Sequence, residues 1–264
     1  MNDVKLYHGD CLELMKDIPD KSIDLILCDL PYDCTQNTWD SLIPFESLWV
    51  AYNRIVKDNG CIALFGQNLF TAKLILSNLT MYKYTLVWDK VLPSGFLNAN
   101  RQPMRVHEDI VVFYKNQCTY NPQKVLGDKC HLRGRSTGNA GNGSNYGNYT
   151  FVDTYSNEKF PTSIISISKP KASAATNQLH PTQKPIELLE YLIKTYTNEG
   201  DIVLDNCMGS GSTGVAACNT NRNFIGIELD DNYFQIAKER IEQAQKFPGT
   251  EYKKPTASTN KKLF

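Results

Sequence analysis

The apolar run SIDLILCDL has the length of a strand, ends in an acid and passes directly into Pro31 and Tyr32. Asp29, Leu30, Pro31 and Tyr32 therefore put a carboxylate, a backbone carbonyl, a rigid turn and an aromatic ring side by side. The carboxylate and the carbonyl can both accept hydrogen bonds from an NH2 group. A tyrosine ring can stack on a flat heterocycle, an interaction of about 1–3 kcal/mol per base in single-strand binders. The plainer reading makes Asp29 a turn-capping acid and Tyr32 a wall residue.

A second chemical signal is VLDNCMGSGSTG at residues 203–214, where a strand runs into a glycine-rich turn and then a helix starting near Ser212 or Thr213. Gly209 and Gly211 let the backbone approach a ligand that a Cβ would obstruct, and the helix start offers unpaired N–H groups. With Gly214 they fit the spacing of a dinucleotide fold, although a lone match is weak evidence. No lysine follows the glycines, so a P-loop is excluded. Glu228 ends the next strand, FIGIE, and serves either reading by accepting ribose hydroxyls. Asp205 separates the two. A carboxylate before the turn suits a ligand carrying positive charge, such as the amino group or sulfonium of S-adenosylmethionine, and opposes a pyrophosphate.

Several elements must position these groups. VKLYHGD reads as a strand, CLELMKDIP as a short helix and FESLWVAYNRIV as an amphipathic helix, ended by Asp58, Asn59 and Gly60. Phe45, Leu48, Trp49, Tyr52, Ile55 and Val56 form the apolar stripe of that helix. CIALFG, TLVWDK and DIVVFYK are further strands, with a helix on FTAKLILSNL. Near-continuous apolar strands separated by helices imply a mostly parallel sheet with helices on both faces. Residues 116–179, rich in Gly, Asn, Ser, Thr and Tyr, read as a loop-rich insertion. The α/β pattern resumes over 180–248, and 249–264 reads as a flexible tail.

A chain of 264 residues with 41% hydrophobic residues suffices for a sizeable core. No apolar run is long enough to span a bilayer and the start carries no signal-peptide pattern, so no membrane partner and a cytoplasmic location are expected. The eight cysteines include no CxxC pair and read as reduced packing thiols. A zinc site from Cys118, Cys130 and His131 lacks a fourth ligand, and no metal is expected. The formal charge of +0 hides a basic middle, where residues 115–185 hold nine Lys and Arg against three Asp and Glu. That imbalance fits a polyanion surface as readily as a solvated one.

Together these residues resemble the amino-group DNA methyltransferases, which methylate N6 of adenine or N4 of cytosine. Asp29-Leu30-Pro31-Tyr32 is similar to their Asp-Pro-Pro-Tyr catalytic motif, and Asp205 to Gly211 to their Asp-x-Phe-x-Gly-x-Gly cofactor motif. The catalytic motif comes first, followed by the variable region and then by HPTQKPIELLEYLI and the cofactor motif; this order resembles that of the β class. Leu30 replaces the first proline but keeps its carbonyl; Cys207 replaces phenylalanine and leaves less apolar surface beside the cofactor.

The resemblance implies an α/β, Rossmann-like, S-adenosylmethionine-dependent methyltransferase fold with permuted motif order. Residues 1–115 would form its catalytic half, 116–179 a target-recognition insertion and 180–248 its cofactor-binding half. It implies that Asp29, Leu30, Pro31 and Tyr32 receive a flipped base. Asp205, Cys207, Gly209, Ser210 and Gly211 would hold the methionine part and Glu228, followed by Leu229, the ribose. Asp10 would meet the cofactor adenine and also suits an N-cap; Phe65 would flank the cofactor. Thr182, Lys184 and Thr213 would sit near the cofactor carboxylate. Trp39 and Asp40 lie in a loop able to fold over the base, though core burial suits Trp39 better.

The expected partner is double-stranded DNA, with a homodimer possible because dimers are common in the β class. Candidate DNA contacts are Arg101, Arg105, Arg133, Arg135, Lys169 and Lys171, with surface ion pairs as the alternative for the first two. An initial Asp rather than Ser favours adenine N6 over cytosine N4. The Pro-Cys nucleophile of C5-cytosine chemistry is missing. Methylation of another amide or amine, such as a protein glutamine, would usually start from Asn with the cofactor motif first. A non-catalytic DNA-binding module would leave the acids and glycines unexplained.

Overall fold

The computed structural model describes residues 2–32, 43–127, 157–169 and 183–250. In chain order the elements are β1 (Val4–His8), α1 (Cys11–Leu14), β2 (Ile23–Cys28), α2 (Phe45–Ile55), β3 (Val56–Gly66), α3 (Leu69–Ser77), β4 (Tyr82–Ser94) and β5 (Arg105–Phe113). There follow β6 (Val125–Leu126), β7 (Glu158–Lys159), β8 (Ile164–Ser166), α4 (Ile186–Tyr196), β9 (Ile202–Asp205), α5 (Ser212–Asn219), β10 (Asn223–Glu228) and α6 (Asp231–Lys246).

Eight strands form one sheet in the order β1-β10-β9-β2-β3-β5-β4-β8. Pairing is parallel from β1 through β3 and between β4 and β8, while β5 runs antiparallel to both of its neighbours. Alternation along each strand sends side chains to opposite faces. Leu25, Leu27, Ala63, Phe65 and Val112 enter one core with α4, α5 and α6. Ile26, Cys28, Ile62, Leu64 and Val111 enter the other with α1 and α2. Full burial of each Leu, Ile or Val contributes about 1.5–3 kcal/mol, so the central strands anchor everything at their ends.

Two local expectations change. The stripe of α2 stops at Ile55, and the chain turns extended at Val56. Asp58, Asn59 and Gly60 lie inside β3, in a bulge where β2 pairs Ile23 with Val56 but Leu25 with Cys61. The bulge absorbs residues that sequence alone reads as a helix stop. Ile164–Ser166, expected within the insertion, is instead the edge strand beside Val87–Asp89.

A second compact unit spans Pro122–Thr162, narrower than the expected 116–179. Its described part is a two-stranded ribbon in which Val125 pairs with Lys159 and Leu126 with Glu158. Lys124 bonds Glu158 at 3.0 Å and lies 5.0 Å over the Phe160 ring. Among the described residues no helix is long and apolar enough to cross a membrane.

Candidate active site

In the sheet order, β9 leads outward to β10 on one side and β2 leads to β3 on the other, so the winding reverses between β9 and β2. Ligands in open α/β sheets bind outside the carboxyl ends of the strands at such a reversal. Asp205 ends β9 and Asp29 follows the end of β2, on adjacent parallel strands with Leu25 opposite Val203 and Ile26 opposite Leu204. Neighbouring strands lie about 4.8 Å apart, which brings together acids far apart in sequence.

Asp29 Oδ1 accepts the Tyr32 hydroxyl at 2.6 Å, and Oδ2 accepts Lys184 Nζ. Tyr32 packs on Phe70 with ring centroids 4.5 Å apart. Burial first, and then the Asp29 charge, keep its phenol protonated. Leu30 is buried, and Pro31 is half-buried. Lys184 is 8% exposed and also lies 3.4 Å from Glu108, whose other oxygen takes Lys90 at 3.1 Å. Burial lowers the affinity of Lys184 for its proton, but Asp29 and Glu108 outweigh that and raise its pKa. Burial likewise pushes Glu108 up, and the two lysines more than reverse it. The result is an alternating chain, Asp29–Lys184–Glu108–Lys90, that keeps Asp29 beside a fixed cation. Lys184 also lies 4.9 Å over the ring of buried Phe65, whose edge meets Trp88. Glu108 and Lys90 were missed from sequence because Lys90 ends TLVWDK, read only as a strand, and Glu108 lies in NANRQPMRVHED, read as a loop before DIVVFYK.

The glycine turn divides its duties. Gly209 has φ +52° and nothing within 4 Å of where a Cβ would stand, so its Cα is open on that side. Gly211 has φ +78°, and a Cβ there would meet Ala237 Cβ at 2.8 Å. A Cβ on Gly214 would stand 2.4 Å from Ile241 Cδ1. A Cβ would thus meet open space at Gly209, whereas its absence at Gly211 and Gly214 lets α5 and α6 pack closely. Ser210 accepts Arg240 on its carbonyl and, at 3.0 Å, on its hydroxyl, which ties the turn to α6. Arg240 had no sequence signal beyond its place on an amphipathic helix. The Tyr52 hydroxyl donates to Asn206 Oδ1 at 2.6 Å and holds the turn from α2.

Asp205 is 3% exposed and accepts the Cys207 amide at 3.1 Å. Burial pushes its carboxyl up to about 6, and Asp29 adds to the rise, against bonds from the Thr213 hydroxyl, the Cys207 amide and the Cys28 thiol. Such a carboxyl is poised to receive a cation. Glu228 Oε2 accepts the Gly209 amide at 2.7 Å, while Oε1 accepts Leu229 N at 3.0 Å and Asp230 N at 2.9 Å. Burial raises its pKa against those three bonds. Leu229 is exposed, with its carbonyl 3.1 Å from His8 Nε2. Asp10 caps α1, its Oδ1 accepting Leu12 N at 2.8 Å and Glu13 N at 3.1 Å.

Cys207 hydrogen-bonds to both Cys11 and Cys28 beside Asp205; burial pushes Cys28 up to about 12, and it stays a thiol. Among the described residues six cysteines are free and no cluster of His, Cys, Asp and Glu suits a metal. Arg105 bonds Gln67 at 2.7 Å and Lys169 bonds the Pro93 carbonyl at 3.2 Å, while Arg101 is exposed. Thr182, Arg133, Arg135, Lys171, Trp39, Asp40, Cys130 and His131 lie outside the described residues.

The family model described as DNA methylase, of the N6/N4 type, matches residues 23–239. A DNA adenine methyltransferase, YhdJ of Escherichia coli (strain K12), is 29% identical over 96% of this chain and 88% of its own. The type II methyltransferase M2.MboI of Moraxella bovis is 26% identical over 94% and 91%. The solved M1.HpyAVI–SAM complex has a TM-score of 0.62 at 27% identity, covering 90% of this chain and 98% of that one. The cytosine-N4-specific PvuII methyltransferase shares the fold with a TM-score of 0.64 at 18% identity. With the family model covering most of its length, this chain belongs to the N6/N4 DNA methylases.

Proposed function

We propose that the protein transfers a methyl group from S-adenosylmethionine to N6 of a flipped adenine in double-stranded DNA. The carrying observation is the juxtaposition, on adjacent strand ends, of Asp29 and buried Asp205. The residues fit the cofactor: Asp205 awaits a cation, and Gly209 opens onto empty space. Asp205 and the Gly209 backbone would hold the methionine part, and Glu228 would accept the ribose hydroxyls with lone pairs left beside its backbone donors. When bound, the cofactor supplies an electrophilic methyl on a sulfonium.

Asp29 and the Leu30 carbonyl accept the two N–H groups of the target amine and draw its lone pair out of the ring. With the cofactor bound, its methyl would be the carbon that this lone pair meets, and the surplus amine proton would pass to Asp29 or to water. Lys184 holds the second Asp29 oxygen and sets a positive charge beside it. Tyr32 lines the base pocket. The adenine assignment rests on the initial Asp29 and on likeness to a DNA adenine methyltransferase. The insertion between β5 and α4 is assigned to reading the target sequence.

Incubation with tritiated cofactor and DNA, followed by nucleoside analysis, tests both levels. N6-methyladenine is expected; N4-methylcytosine overturns the base assignment, and no transfer overturns the activity. Asp29→Ala should leave cofactor binding largely intact and slow transfer by a factor on the order of 100 or more. Near-normal turnover in that variant would remove Asp29 from the chemistry.

A further inference from the structure

The β4–β5 hairpin carries residues that the site above does not use. Its base stands on the rim that holds Asp29, because Trp88 pairs with Glu108, Lys90 bonds Glu108, and Arg105 bonds Gln67 just past β3. Beyond the base the ladder slips: Asp89 faces His107 but Ser94 faces Arg105, so β4 carries extra residues there. Val91, inside the slip, has φ +61°, a conformation that strains a β-branched side chain, and its amide is held by Asp89 Oδ1 at 2.9 Å. Such strain persists where the surroundings impose it, often at functional segments.

The tip is built rather than loose. Gly95, at φ +88°, leads into a helical turn over Phe96–Asn98, closed by Ala99 N to Phe96 O at 3.0 Å and Arg101 N to Asn98 O at 2.9 Å. That turn displays Phe96 at 80% and Leu97 at 98% exposure. Between Val91 and His107 there is no Asp or Glu, and Arg101, Arg105 and the neighbouring Lys169 supply positive charge. Seven residues of partly extended chain from Lys90 to Leu97 reach on the order of 15–20 Å from the rim.

A projecting apolar pair flanked by cations, with no acid to repel phosphate, is complementary to duplex DNA entered between base steps. We propose that Phe96 and Leu97 form a wedge that enters the duplex beside the target nucleotide and fills the stack it vacates, while Arg101 and Arg105 hold the flanking phosphates. The wedge rests on the reading of the chain as a DNA methyltransferase. Without it, extrusion leaves a gap in the stack.

The test compares the full chain with the F96A/L97A variant, using a duplex oligonucleotide that carries the target sequence mapped from methylated DNA. A second duplex carries a mismatch opposite the target base, where extrusion is easier. The variant should bind S-adenosylmethionine as the wild type does and lose at least about tenfold in methyl transfer on the paired duplex. It should recover to within about threefold on the mismatched one, and Phe96→Trp should stay active. Unchanged transfer on the paired duplex, or equal loss on both duplexes, overturns the wedge. Dissociation of a wild-type dimer into monomers by the double substitution, seen by sedimentation, overturns it in favour of a second copy of the chain as occupant. A wild type that methylates neither duplex overturns the methyltransferase reading itself.

Discussion

Replacing Asp205 by Asn probes the cofactor side of the site, and its effect can be worked from the burial of that carboxyl. In the fold the group titrates near 6 rather than near its ordinary 3.8, because burial disfavours the charge. A difference of about two units corresponds to about 3 kcal/mol. Since the folded value lies above the unfolded one, the protonated group stabilises the fold fully below about pH 4, and that stability is lost as pH rises through about 6. Asp205→Asn has no charge to bury. The variant's stability relative to wild type should therefore grow by about 2–3 kcal/mol between pH 4 and pH 7.5 in urea unfolding.

On the proposed assignment, the cofactor ammonium would supply the missing counter-charge and pull the carboxyl pKa down. Binding at pH 6 should then release about half a proton, and affinity should fall by up to about tenfold per unit below pH 6. Calorimetric titration of S-adenosylmethionine in buffers of different ionisation enthalpy measures both. Equal affinity at pH 5 and pH 7.5, with no proton released at pH 6, would refute the assignment of Asp205 to the ammonium.

Lys184→Met leaves Asp29 and Glu108 facing each other without their shared cation and should cost about 3–5 kcal/mol, lowering the midpoint of thermal unfolding by on the order of 10 °C. Adding Glu108→Gln should restore part of it; a loss under about 1 kcal/mol would mean the buried pair is not formed. Gly211→Ala forces a Cβ against Ala237 at a left-handed φ and should destabilise by about 2–4 kcal/mol, whereas Gly209→Ala meets no atom, carries only the left-handed strain of about 1 kcal/mol and should also weaken cofactor binding. Urea unfolding and cofactor titration of the two variants separate these effects, and equal stability losses would contradict the division of the turn.

Periodicity made the strands and helices around both motifs legible, because each core strand is buried on both faces and each helix carries a single stripe. Asp29 and Asp205 were legible for a different reason: each is an acid standing at the end of an apolar run. The stop at Ile55 was not, since Asp58–Gly60 has the composition of a helix end and only its pairing with β2 makes it a bulge. Nor was the ion chain through Glu108 and Lys90, which depends on β5 returning antiparallel between β3 and β4. Lys184 was expected near the cofactor carboxylate; three-dimensional proximity places its ammonium on Asp29. The glycines looked alike in sequence, and only the atoms around each one distinguish Gly209, open on its Cβ side, from the packing pair.

Asn2 and Asp3, just before β1, meet α6 and β10: Gln245 Nε2 donates to Asn2 O at 3.2 Å, and Asp3 N donates to Asn223 Oδ1 at 2.8 Å. A short linker from residue 250 back to residue 2, with new ends opened between β5 and α4, would hand the ribosome the glycine turn before the tetrapeptide while β2 still lies against β9. Order of synthesis and spatial adjacency are thus independent variables in this architecture, and rewiring the backbone offers a route to relocating its extremities without disturbing the chemistry.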